Sequence, residues 1–127
     1  MSPQKAALTA LLEMLEQQLK ITVSVDRLPT AGGISAEIQA ARNDGCTLDR
    51  QRQYRTLPVL FFSKSKNQSD AFECLYAIGN AVSKCVSFPV SDCFQILSAK
   101  VSTDVGLMDR IGDYYTYSMI VDVRIAF

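Results

Sequence analysis

Few residues in this chain could take part in chemistry, and they do not form a recognisable catalytic set. The 127 residues include four cysteines and no histidine. Without histidine, neither a Ser–His nor a Cys–His nucleophile pair can form. No Cys-x-x-Cys spacing indicates a zinc site. We therefore expect no enzyme, no metal and no cofactor, and we expect all four cysteines to be buried, reduced thiols. They are Cys46, Cys74, Cys85 and Cys93.

A basic segment that contains a tyrosine is the first candidate for contact with another molecule. Residues 42–66 carry six basic and two acidic side chains, a balance of +4, whereas residues 68–127 have a balance of −3. Arginine and tyrosine are favoured at protein-binding hot spots, but the interleaved aromatic residues of a nucleic-acid groove are missing. Two interpretations stay open, a solvated arm and a surface that contacts an acidic partner. The candidate contact residues are Arg50, Arg52, Tyr54 and Arg55.

The second candidate surface follows Asp104. The aspartates of residues 104–113 are explained by a solvated loop more simply than by acid–base catalysis. Asp109 and Arg110 could still carry charge to a partner. The tyrosines that come next are compatible with packing inside a sheet and with an interface. The candidate contact residues here are Asp109, Arg110, Tyr115 and Tyr117.

Two helices are expected to support these segments. Ser2 followed by Pro3 is a good helix start, and leucines then recur at helical spacing, which predicts a helix over about residues 3–20. Asn67, followed three residues later by an aspartate, predicts the N-cap of a second helix. Pro89 ends that helix.

Alternation of apolar and polar residues predicts the strands. The last 14 residues have one unbroken apolar row, and a strand of that length has spare edge for another chain or a frayed end. Residues 57–62 are apolar on both faces, which indicates a central strand. In the next strand, Leu97, Ala99 and Val101 are expected to share one face. The predicted strands are 21–25, 34–40, 57–62, 93–103 and 114–127, with loops at 42–55 and 104–113.

These elements predict one α+β domain over residues 1–127, with the order α-β-β-β-α-β-β. The sheet is expected to be mixed or mainly antiparallel, with both helices on one face. Net charge is zero, which gives no support for binding to nucleic acid. No apolar run approaches the roughly 18–20 residues that span a bilayer, and Glu13 and Glu16 interrupt any signal peptide. We expect a cytosolic chain with no membrane contact.

The middle and the end of the chain resemble a known family. Thr47–Asp49, then an apolar strand ending in Phe61–Gln68, then a helix, is similar to the minor capsid or tail completion proteins of long-tailed bacteriophages. Gly112–Tyr117, which opens the long final strand, also fits, and tail terminators share the order of elements. The resemblance covers about residues 45–127; Arg50 stands where the family often has glycine.

The resemblance implies a structural virion protein that assembles in the host cytoplasm. Tail terminators form a hexameric ring that caps the tail tube and faces the neck of the head. The implied partners are copies of the chain, the tail tube protein and a head-completion or neck protein, with DNA only passing through the ring. Three alternatives remain: a head–tail adaptor or stopper, a small monomeric ligand-binding domain, and an enzyme with Cys46 or Cys93 as nucleophile.

Overall fold

A computed structural model of the chain describes residues 2–25, 32–46, 48, 51–85 and 87–127. Within them the chain forms two helices and a six-stranded sheet, in the order α-β-β-β-β-α-β-β. The elements are α1 (Pro3–Leu19), β1 (Val23–Val25), β2 (Gly33–Ile38), β3 (Arg42–Cys46), β4 (Gln53–Ser65), α2 (Gln68–Lys84), β5 (Gln95–Ile111) and β6 (Tyr114–Ala126).

The sheet is mixed, which confirms the predicted α+β class. Its main path is β1-β2-β4-β6-β5, and β3 pairs with β4 outside that path. Only the β1–β2 pair is parallel among these strands. β6 pairs with one edge of β4 from Tyr54 to Ser65. On the other edge of β4, β3 pairs with the first residues and β2 pairs with the later ones. The predicted central position of residues 57–62 is therefore correct.

Both helix starts follow from local chemistry. The Oγ of Ser2 accepts a hydrogen bond of 3.2 Å from the backbone N–H of Lys5, with proline at the first helical position. The Oδ1 of Asn67 accepts hydrogen bonds of 3.0 Å from the backbone N–H of Ser69 and of 3.4 Å from that of Asp70. A side-chain oxygen at the N-cap satisfies backbone donors that have no partner inside the helix.

The hydrophobic core is formed by buried residues of both helices and of the strands β1, β2, β4, β5 and β6. In it, α2 contacts β4, β5 and β6 as well as α1. The alternate residues of β6 that were predicted to form an apolar row are buried up to Ile125, except half-buried Tyr115. Phe61 of β4 and Leu75 of α2 are fully buried. The prediction that both helices lie on one face of the sheet stays a prediction.

The predicted loop 42–55 is wrong, because it contains β3 and the beginning of β4. Gly45 has φ of +107° and lies at a register shift in the pairing with β4, so the Asn-Asp-Gly run forms a bulge and not a chain reversal. β3 is mostly exposed. It therefore has no buried face and no apolar alternation that a pattern could detect.

The predicted loop 104–113 is also wrong. β5 continues to Ile111, and only Gly112 and Asp113 form the turn to β6. Four register shifts interrupt the pairing of β5 with β6. One of them separates Ile96, which is 4% exposed, from Leu97, which is 38% exposed. Ala99 and Val101 therefore pack inward without Leu97, contrary to the expectation of a regular strand.

Candidate interaction surfaces

At one end of the sheet, residues 42–46 and 51–56 form an arginine-rich surface that we call the basic end. Arg42 donates through Nε to the Oδ1 of Asp44 at 2.9 Å, and the hydroxyl of Thr56 donates to the other carboxylate oxygen. The bond from Thr56 and then that from Arg42 lower the pKa of Asp44, while the same carboxylate raises the pKa of Arg42. Three arginines against one aspartate leave the basic end at +2.

Three of the residues predicted at this surface lie together. Arg52 donates to the side chain of Gln95 on β5. Arg55 donates to Asn43 at 2.9 Å and to Gln53 at 2.7 Å, and its guanidinium carbon is 5.6 Å from the ring centroid of Phe127. Tyr54 is half-buried, with the guanidinium of Arg124 5.7 Å from its ring. Arg50 lies outside the described residues.

A groove of about 870 Å³ opens beside the basic end, and we call it the end groove. The backbone N–H and C=O groups of Phe127 and Gln53 bond to each other at 2.7 and 2.9 Å, which fixes the wall formed by Phe127. Leu48 is fully exposed and Val90 is 66% exposed. The lining also contains one basic side chain, Arg52, and one acidic side chain, Asp92. The residues that matter below are Leu48, Arg52, Val90, Asp92, Cys93 and Phe127.

At the other end of the sheet lies the distal hairpin, residues 104–117 of β5 and β6. The backbone N–H of Arg110 donates to the carboxylate of Asp109 at 2.7 Å, and the Arg110 guanidinium is 5.1 Å from the ring of Tyr115. Tyr117 is only 7% exposed, and its hydroxyl accepts a hydrogen bond of 2.8 Å from Gln68. Asp109, Arg110 and Tyr115 therefore lie on the surface of the hairpin or at its margin, whereas Tyr117 packs against α2.

The distal hairpin also has exposed apolar side chains that were not among the contact residues predicted from the sequence. Leu107, Met108 and Ile111 are 52%, 54% and 70% exposed. They belong to a segment that was predicted as a polar loop. Three large apolar residues among aspartates were the signal, because a loop that only needs solvation does not require them.

Two lysines of β4 and its following turn complete this end of the sheet. The Nζ atoms of Lys64 and Lys66 are 4.8 and 5.5 Å from the ring of Tyr114. Both ammonium groups are thus placed over an aromatic face, which is a favourable arrangement for a cation. The hairpin itself has three aspartates and one arginine, a balance of −2.

The two candidate surfaces are far apart. β4 and β6 run antiparallel over their full lengths, so the basic end lies at the start of β4 and the distal hairpin begins beside its last three residues, Ser63–Ser65. Tyr117 at the end of the hairpin and Arg124, which pairs with Thr56 of the basic end, are seven residues apart along β6, a distance of about 24 Å in an extended strand. The structure therefore does not bring the two predicted sets of residues into one site.

The prediction of buried thiols is wrong. Cys46 and Cys93 are exposed, and Cys74 and Cys85 are half-buried. Cys46 lies on the exposed strand β3 and Cys93 lines the end groove, so both are outside the core. Burial raises the pKa of the Cys74 thiol, and the nearby carboxylate of Asp70 adds to the shift. That thiol is therefore held in its protonated, less nucleophilic form.

Metal ligation and membrane crossing can be judged for the part of the chain that the structure describes. In that part, no three histidine, cysteine, aspartate or glutamate side chains lie close enough together to hold a metal ion. None of its helices has the length and apolar character required to cross a membrane. In the comparisons with known proteins, no protein-family model and no curated protein sequence matches this chain.

Proposed function

We propose that this protein is a structural component of a bacteriophage virion. It caps the end of the tail tube as an oligomeric ring and joins the tube to the neck of the head. Its partners are further copies of itself, the tail tube protein and a head-completion or neck protein. Its place is the virion, after assembly in the bacterial cytoplasm.

The observation that carries the proposal is where the family-like residues lie in the fold. Phe61–Gln68 covers the end of β4, the N-cap at Asn67 and the first residue of α2. Gly112, with φ of +59°, and Asp113 form the turn that opens β6. The residues that carry the resemblance therefore lie at the junction of β4 with α2 and at the turn before β6.

The expected spare edge on the final strand is wrong, because β6 pairs with β4 on one side and with β5 on the other along its length. The free edge that supports an assembly role belongs to β5. β5 has 17 residues. Apart from a bridge between Gln95 and Val90, it pairs only with β6 among the described residues. An unpaired strand edge is a template for another chain. A ring of identical subunits needs such contacts to be head-to-tail, with different surfaces of each subunit meeting.

The experiment that tests the proposal is capping of tail tubes. Purified protein is mixed with assembled tail tube protein and the tubes are imaged by negative-stain electron microscopy. We expect additional density at one end of each tube, and an arrest of further tube growth. Binding to neck or portal-side proteins, with bare tube ends, would favour the head–tail adaptor instead.

One observation favours a second function from a different class. The end groove has a volume of about 870 Å³, and pockets for small ligands measure roughly 300–1,000 Å³. A monomeric ligand-binding domain would keep its mass at every concentration and would bind a small molecule saturably. A ring protein would change its mass with concentration.

A further inference from the structure

The strand β3 is held to the sheet differently from the other strands that the structure describes. Each of the other five contributes at least one residue to the hydrophobic core, whereas β3 contributes none. Its residues are exposed except for Asp44, which is half-buried. Segments with few buried apolar contacts open at a lower free energy than the core does. Polar interactions must therefore keep β3 in place.

The backbone pairing of β3 is short and interrupted. Its four residue pairs all involve β4, and a register shift between Asn43 and Gly45 leaves Asp44 as the extra residue of a bulge. The extra residue of a bulge has no partner in the backbone ladder. The contribution of Asp44 to holding the strand therefore comes from its side chain.

The carboxylate of Asp44 connects β3 to β4. One oxygen accepts from the Nε of Arg42 at 2.9 Å, and the other accepts from the hydroxyl of Thr56 on β4. Arg42 also donates to the Thr56 hydroxyl at 3.3 Å. The side chain of Asp44 is 15% exposed and Thr56 is 7% exposed. Hydrogen bonds to an ionised acceptor are stronger than those between neutral groups, and little water reaches these.

Charged side chains of two further strands surround this connection. Asp44 lies in a polar cleft of about 510 Å³ on one face of the sheet. After Thr56 and Arg42, Arg124 of β6 also lowers the pKa of Asp44, so its positive charge favours the ionised carboxylate. The remaining side chains of the cleft are Ser98, Lys100 and Asp122. The carboxylate of Asp44 is thus the group on β3 that both β4 and β6 attract.

We propose that β3 opens as a unit while the rest of the sheet stays paired, and that the carboxylate of Asp44 is the latch that keeps it closed. Opening uncovers the edge of β4 over residues 53–56, which pair with β3 in the closed form. An uncovered strand edge is a template for another chain, so β3 protects it when closed. The opening is a property of the single chain and goes beyond the proposed ring function.

Amide hydrogen exchange tests the opening, because its rate reports the free energy of each opening reaction. Peptides that cover residues 42–46 and residues 118–124 of the purified protein are followed by mass spectrometry at neutral pH. We expect the slowest amides of β3 to exchange at least about a hundredfold faster than those of β6. Equal rates would mean that β3 opens only when the whole protein unfolds. Complete absence of protection in residues 42–46 would mean that no latch closes the strand. Either result overturns the proposal.

A substitution in the core distinguishes local opening from global unfolding. Val121→Ala weakens a fully buried position of β6, and it should accelerate exchange in residues 118–124 at least about tenfold. Exchange in residues 42–46 should not change, because the packing of Val121 is intact in both the closed and the open form of β3. Equal acceleration in the two peptides would overturn the proposal.

The latch is tested by removing its two halves. Asp44→Ala should accelerate exchange in residues 42–46 at least about tenfold, and Thr56→Val should act in the same direction. The double variant should exchange no faster than Asp44→Ala alone, because both substitutions remove the same bond. Asp113→Ala, which removes an exposed carboxylate from the turn before β6, is the matched control and should leave β3 unchanged. Unaltered exchange in Asp44→Ala, or fully additive effects in the double variant, would contradict the latch. Capping of tail tubes tests the ring function separately.

Discussion

At the scale of single residues, Gly79 sets how closely α2 approaches the sheet. A Cβ atom at this position would lie 3.1 Å from the Sδ of Met119 and 3.1 Å from a methyl group of Val101. Both distances are shorter than an ordinary carbon contact of about 3.5–4.0 Å. Gly79 is therefore a packing requirement in a buried part of the helix.

We predict that Gly79→Val lowers the free energy of unfolding by about 1–3 kcal/mol, because the added methyl groups must displace Met119 or the helix. The matched control is Asn80→Val, one position along the same helix but exposed, with an expected change within about 0.5 kcal/mol. Chemical denaturation measures both values. Equal effects of the two substitutions would contradict the packing role of Gly79.

Asp44 makes part of the stability depend on pH. Its hydrogen bonds from Thr56 and Arg42 favour the ionised carboxylate and lower its pKa in the folded protein. A lowered folded pKa contributes stability that is fully present above the unfolded pKa, about 3.9 for aspartate. This contribution is lost as the pH falls through the folded pKa.

We therefore predict that Asp44→Asn reduces the dependence of unfolding free energy on pH below about pH 4, relative to the wild type. Thr56→Val should act in the same direction, because it removes the largest cause of the lowered pKa. Denaturation curves between about pH 2.5 and 6 measure the slope. An unchanged acid slope in both variants would contradict this role of Asp44.

At the scale of elements, the length of β5 and β6 exceeds what the core requires. β6 is buried on alternate residues from Tyr117 to Ile125, whereas β5 is mostly exposed beyond Ile96. Within the distal hairpin, Val105, Tyr115 and Tyr117 still pack against the core. Leu107, Met108 and Ile111 of the same hairpin are exposed.

We predict that Leu107→Ser combined with Ile111→Ser changes the free energy of unfolding by no more than about 0.5 kcal/mol for each residue. The same pair of changes should strongly impair assembly. Val121→Ser is the contrasting variant, since Val121 is fully buried in β6; it should cost about 2 kcal/mol or more. A large loss of stability from the hairpin variant would show that its apolar residues serve the fold.

The elements differ in how well the sequence predicts them, and exposure explains the difference. Ser2 and Asn67 cap their helices through local bonds, and β6 shows its alternation because one face is buried. β3 and the part of β5 near Ile111 are mostly exposed. Apolar residues therefore do not alternate regularly with polar ones in these segments. Leu48, Val90 and Phe127 come together in the end groove from three separate segments, which only the tertiary fold determines.

At the scale of the whole molecule, the sheet has two ends of different character. One end holds a groove and excess arginine, whereas at the other end Lys64 and Lys66 offset the aspartates of the hairpin. The strands β4 and β6 connect the two ends as a continuous antiparallel pair of 12 residue pairs. Such polarity suits a subunit that joins identical neighbours head to tail.

The most direct test of this account is the absolute mass of the purified protein, measured by multi-angle light scattering over a range of concentrations, alone and with tail tube protein. For a ring-forming subunit we expect a species whose mass is a fixed multiple of the 14.0 kDa chain, formed alone or on the tube. A 14.0 kDa monomer at every concentration, with and without the tube, would contradict it.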